Sequence, residues 1–129
     1  MNRKPILVVD DDPDIRQVLQ DRLESYGYVV ETAADGRAAL EKLERLTPRG
    51  VFLDIRMSGM DGLEVLARIR DRYPEVPVVI ITAASAGEKV TSAIRAGARA
   101  YLLKPFDTAQ LRYIAECWLG KPLEGENDR

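Results

Sequence analysis

Apolar residues fall along this chain in two patterns: short unbroken runs, and longer stretches where they recur every three or four positions. Residues 5–10, 51–54, 77–82 and 100–103 are runs of the first kind, bounded by charged or turn residues, and read as strands, the 51–54 run as one buried on both faces. Residues 28–33 read as a further strand. Between the runs lie helical stripes. Ile15, Val18, Leu19, Leu23 and Tyr26 form the first, with Asp12 as cap, Pro13 as first helical residue and Gly27 as stop. Asp35 and Gly36 turn the chain into a second helix carrying Ala39, Leu40, Leu43 and Leu46, which residues 47–50 break. Leu63, Leu66 and Ile69 mark a third, ended by Tyr73 and Pro74. Ser85 and Glu88 have the spacing of a capping box before a fourth helix with Val90 and Ile94 inward and Gly97 as its end. Asp107 and Gln110 open a fifth whose inward stripe is Leu111, Ile114, Ala115 and Trp118, leaving Tyr113 and Cys117 outside as an i, i+4 pair.

Strands alternating with helices at short spacing predict an α/β fold, a parallel five-stranded sheet with five helices covering both faces. No internal repeat exists beyond that alternation. Residues 1–119 are expected to form one domain, and the polar, aperiodic residues 120–129 a frayed tail or the start of a linker.

Composition narrows the function classes. Of 129 residues 46% are hydrophobic and 31% charged, which suits a globular domain and excludes fibrous and disordered classes. The net charge is -2 and the 19 basic residues are scattered, so no electrostatic footprint for nucleic acid is present. No apolar run is long enough to span a bilayer, and residues 1–5 lead into a strand rather than a signal peptide; a cytoplasmic protein without membrane contact is expected. Cys117 is the single cysteine, so no internal disulfide forms. There is no histidine, so any imidazole the chemistry requires belongs to a partner.

The strand ends carry the candidate chemistry: Asp10 and Asp11 follow the first, Asp54 the third, Thr82 the fourth and Lys104 the fifth. In a parallel sheet these ends share one edge, where ligands bind in open α/β folds. Carboxylates about 4 Å apart repel by roughly 4 kcal/mol per pair at an effective dielectric of about 20, so the edge calls for a counter-charge. A hard divalent cation with oxygen ligands, Mg²⁺ above all, supplies one. Metal and ammonium together then suit a phosphoryl group.

At these residues a resemblance appears. Val-Val-Asp10-Asp11, the Leu-Asp54-Ile-Arg-Met-Ser-Gly-Met-Asp-Gly62 loop, Ile-Thr82-Ala83 and Gly-Ala-Arg-Ala-Tyr101-Leu-Leu-Lys104-Pro105-Phe106 together resemble the receiver domain of two-component response regulators, over about residues 5–119. The resemblance implies a doubly wound, flavodoxin-like sheet of order 2-1-3-4-5. It implies Asp54 as phosphoacceptor, Asp11 as a direct Mg²⁺ ligand, Asp10 as a ligand largely through water, and the Arg56 carbonyl as a further ligand. Thr82 and Lys104 would take phosphoryl oxygens, and Tyr101 matches the aromatic switch position. The implied donor is a sensor histidine kinase or a histidine phosphotransfer protein, and the implied output surface is the fourth helix, fifth strand and fifth helix. A homodimer is compatible with this pattern. The chain would promote only its own phosphoryl transfer and autodephosphorylation rather than act as an enzyme on other substrates.

Two other classes compete. A phosphohydrolase of haloacid-dehalogenase type shares the nucleophile but places a second aspartate where this chain has Arg56, and a degenerate receiver used only for binding would have lost the aspartate or lysine present here. Ser58 stands where the family usually has proline, and Arg56 with Ala84, two residues beyond Thr82, is expected to set the lifetime of the phosphoryl group. The Lys104–Pro105 bond, at a strand end, is a place for a cis peptide.

Overall fold

A computed structural model of the chain describes residues 4–57 and 59–122. Ser58, the side chain of Ala84 and residues 123–129 of the expected tail lie outside the described residues. The elements run β1 (Ile6–Val9), α1 (Pro13–Ser25), β2 (Val30–Ala33), α2 (Gly36–Arg45), β3 (Gly50–Asp54), α3 (Gly62–Arg72), β4 (Val78–Ala83), a 3-10 turn (Ala84–Ala86), α4 (Gly87–Arg95), β5 (Ala100–Lys104) and α5 (Thr108–Leu119). All strand pairs are parallel and the order is β2-β1-β3-β4-β5.

The apolar runs owe their length to helices on both sides, and the two-residue period within each run sorts the side chains between two cores. Leu7, Val9, Val51, Leu53, Val78 and Ile80 meet Ala39 and Leu43 of α2, Val65, Leu66 and Ile69 of α3, and Val90 and Ala93 of α4. Ile6, Val8, Phe52, Val79, Ile81 and Leu102 point the other way, onto Leu19 and Leu23 of α1 and Leu111, Ala115 and Leu119 of α5. The caps act as their chemistry predicts: Asp12, Asp35 and Asp61 accept backbone N–H bonds, and Asp107 with Gln110 forms a full capping box.

Several expectations are corrected. The second strand begins at Val30 rather than at residue 28. Tyr28 is instead buried, and its hydroxyl donates to the Gly120 carbonyl at 2.7 Å. The stripe residues Val18, Ile94 and Trp118 are 39%, 41% and 42% exposed. In α5 the stripe turns slightly to run Leu111, Ala115, Leu119, and Leu119 fits where Gly50 has no side chain. In α4 the pair Val90 and Ala93 faces the core, leaving Ile94 beside Tyr101 and Leu103 on an open groove. The Ser85–Glu88 capping box does not form. Ser85 lies in the 3-10 turn before the helix, where its hydroxyl accepts a hydrogen bond from Arg56 Nη1 at 3.3 Å. Among the described residues no helix is long and apolar enough to cross a membrane.

Candidate functional site

Parallel register brings the polar strand ends together. Asp54 closes β3 opposite Ile81, and Thr82 and Lys104 follow along β4 and β5, while Asp10 and Asp11 leave the end of β1. Asp10 and Asp54 are buried, Asp11 is exposed, and each can offer a carboxylate oxygen such that all three lie within 4.8 Å of one another.

Each buried acid is held at both oxygens. Asp10 Oδ1 accepts from the Asp12 N–H at 2.9 Å and Asp54 Oδ1 from the Arg56 N–H at 2.9 Å. Their Oδ2 atoms share one cation, Lys104 Nζ, at 3.0 and 3.1 Å. The Lys104–Pro105 peptide is cis. Burial pushes the Asp54 carboxyl above its ordinary 3.8; the Arg56 N–H works against the rise, the Asp10 charge adds to it, and Lys104 does not cancel it. For Lys104, burial alone would lower the ammonium, yet the hydrogen bonds and charges of Asp10 and Asp54 outweigh it and hold the group above 10.5. The sharing is therefore unequal: the ammonium gains from two acids, whereas each acid has a fraction of one cation.

Three carboxylates against one ammonium leave an excess of negative charge on oxygen donors alone, the donor set of a hard divalent cation rather than of zinc or copper. Beside it, Thr82 is fully buried, and its Oγ1 is the one buried side-chain polar atom without a hydrogen-bond partner among the described residues. Such an orphan needs an explanation, and a ligand arriving at this edge provides one.

Not every candidate joins the cluster. Tyr101 is 48% exposed on β5, in the groove with Val90, Ile94 and Leu103. The Arg56 side chain is exposed and reaches Ser85. Two residues support the site without a role assigned to them from the sequence, one of them the glycine that ends the Asp54 loop motif. Gly62 starts α3 against the acid loop: a Cβ there would stand 2.5 Å from Ile55 Cα and 2.7 Å from the Asp54 carbonyl oxygen. Arg16, one turn into α1, donates from Nη1 to the Asp10 carbonyl at 2.8 Å. Only its position six residues after Asp10 hints at this, because a helix entered directly from a strand end folds its first turn back over that end.

The family model described as response regulator receiver domain matches residues 6–116. The chain is 46% identical over 116 residues to the DNA-binding transcriptional regulator NtrC of Escherichia coli, covering 90% of this chain and 25% of that protein. It is 42% identical over 113 residues to the nitrogen assimilation regulatory protein NtrX of Azorhizobium caulinodans, covering 86% and 25%. Among solved structures, the receiver domain of NtrX from Brucella abortus superposes with a TM-score of 0.86 at 42% identity, over 88% of this chain and 97% of that one. Chemotaxis protein CheY4 of Vibrio cholerae gives 0.84 at 33% identity, over 91% and 99%. The chain spans about a quarter of the length of the curated relatives it matches.

Proposed function

The chain belongs to the response regulator receiver domain family, and from that premise we propose that Asp54 accepts a phosphoryl group from a phosphohistidine on a sensor kinase or phosphotransfer protein. The observation that carries this reading is the Lys104 ammonium bridging Asp10 and Asp54, with the unpartnered Thr82 hydroxyl buried on the neighbouring strand.

An Asp54 oxygen attacks phosphorus in line, the P–N bond breaks, and its electron pair leaves on the imidazole nitrogen, which takes up a proton. Positioning and charge stabilisation supply most of the acceleration in such transfers. The Arg56 N–H, on Oδ1, and Lys104, on Oδ2, fix the carboxylate before attack. Asp10, Asp11 and Asp54, with the Arg56 carbonyl, would hold Mg²⁺, which when bound offsets negative charge on the phosphoryl oxygens. Lys104 then turns from the acids to one phosphoryl oxygen, and the Thr82 hydroxyl donates to another.

The output follows from that demand on Thr82. Drawing its hydroxyl toward the new anion shifts the end of β4, and Tyr101 rotates out of its groove toward the space released, which changes the α4–β5–α5 surface. That surface would meet an output domain, a partner or a second copy of the chain. The same reading takes residues 1–119 as the receiver and 120–129 as tail or linker, and places the module in the cytoplasm with its kinase. It turns over no substrate beyond its own phosphoryl group.

Incubation with a small acyl phosphate and Mg²⁺ should label the protein at one phosphate per chain, and Asp54→Asn should abolish the label. Label that survives this substitution refutes the assignment. Sustained phosphate release from generic monoesters would support a phosphohydrolase instead, and an intact protein that takes no label would be a receiver used only for binding.

A further inference from the structure

The geometry points to Arg16 as a positioning residue that holds the acidic β1–α1 loop in the shape that binds a divalent cation. This rests on the metal-dependent reading above and adds to it a residue outside the acid cluster.

Arg16 grips the loop at both ends. Its backbone N–H donates to the Asp12 carbonyl at 3.0 Å, closing the first turn of α1, while its guanidinium reaches back to the Asp10 carbonyl at 2.8 Å. Asp11, the exposed member of the acid group, lies between these two anchors. The local sequence makes this possible, because Asp12 caps the helix and Pro13 starts it, so Arg16 falls in the first turn with its side chain directed back over the strand end. Lys104 orients the Asp10 and Asp54 carboxylates, whereas Arg16 orients the peptide that carries Asp11.

Two effects of Arg16 on a cation oppose each other. Its positive charge repels the ion, and its hydrogen bond preorganises the ligands. The bond goes to a carbonyl and not to a carboxylate, since both Asp10 carboxylate oxygens are taken by the Asp12 N–H and by Lys104. Arg16 therefore does not compete with the cation for a ligand atom, and its partly exposed side chain keeps contact with solvent, which weakens the repulsion. Preorganisation wins. Outer partners that orient metal ligands are worth roughly 10- to 100-fold in metal affinity.

The opposing signs provide the test. Mg²⁺ is titrated into the unphosphorylated protein and followed through the amide resonances of residues 10–12 and 54–56, in wild type, Arg16→Met and Arg16→Lys. Arg16→Met keeps the aliphatic stem but removes charge and donor, and should raise the Mg²⁺ dissociation constant roughly tenfold or more. Arg16→Lys, which restores one donor, should recover part of that loss. A Met variant that binds Mg²⁺ as tightly as wild type, or more tightly as charge repulsion alone would require, overturns the inference, as does a Lys variant no better than Met. Should Arg16→Met not fold, Arg16→Gln, uncharged and too short to make the same reach, takes its place with the same expected weakening. If wild type itself neither binds Mg²⁺ nor labels on Asp54, the functional reading fails as well; if wild type does both and only the Arg16 variants behave as wild type, this inference alone is lost.

Discussion

Replacing Lys104 by methionine isolates the electrostatics on which the site depends. The ammonium stands 3.0 Å from Asp10 Oδ2 and 3.1 Å from Asp54 Oδ2, with the acid side chains 1% and 6% exposed and its own 23%. At an effective dielectric of about 20, each contact represents roughly 5 kcal/mol of attraction. Desolvation of the three groups cancels much of this, and removing one partner of a buried pair usually costs about 3–5 kcal/mol, because the charge left behind has no counterpart. Two acids would remain, still holding their N–H bonds from Asp12 and Arg56. We therefore expect a loss of about 3 kcal/mol at neutral pH in metal-free buffer, read as a lower urea midpoint at unchanged slope. The pH dependence has a definite sign. Asp54 already titrates above 3.8 in the folded protein, and without Lys104 it rises further. The native state then binds more protons than the unfolded chain between 3.8 and the raised value, so stability increases as pH falls through that window. The deficit of Lys104→Met should accordingly shrink as the pH is lowered into that window, and also on adding Mg²⁺. A variant as stable as wild type at neutral pH, or a deficit indifferent to both acid and Mg²⁺, would refute the argument.

Gly62→Ala should cost about 1–3 kcal/mol, since its Cβ meets backbone atoms of Asp54 and Ile55 that cannot rotate away, and the displaced loop should also slow phosphorylation; wild-type melting together with wild-type labelling would show that the space exists. Arg56→Ala removes the Arg56–Ser85 hydrogen bond, and with it a cationic side chain beside the acceptor loop. We expect label on Asp54 to be lost severalfold faster through freer access of water, and an unaltered rate in a chase experiment removes Arg56 from any role in phosphoryl lifetime.

Much was determined by the sequence alone. The apolar runs and residues 28–33 specified five strands, the stripes between them specified helices on both faces, and aspartates at helix starts capped α1, α2, α3 and α5 where their side-chain chemistry requires. The polar residue closing each of four runs already marked one edge of the sheet, where Asp10, Asp54 and Lys104 meet and Thr82 lies on the strand between Asp54 and Lys104, because parallel strands put equivalent ends on one side. Tertiary structure decided what periodicity does not contain. A period says which side chains share a stripe and not what will cover it: the neighbours of α4 and α5 turned Ile94 and Trp118 outward and Leu119 inward, the last into a space left by Gly50 on a different element. Ser85 had the spacing for a cap, but Arg56, 29 residues away, reaches its hydroxyl in a 3-10 turn that precedes the helix. The shared ammonium between Asp10 and Asp54, and the reach of Arg16 to a carbonyl, are likewise distances between elements. Local pattern encodes each element's geometry, whereas contacts between elements depend on how the sheet sets them side by side.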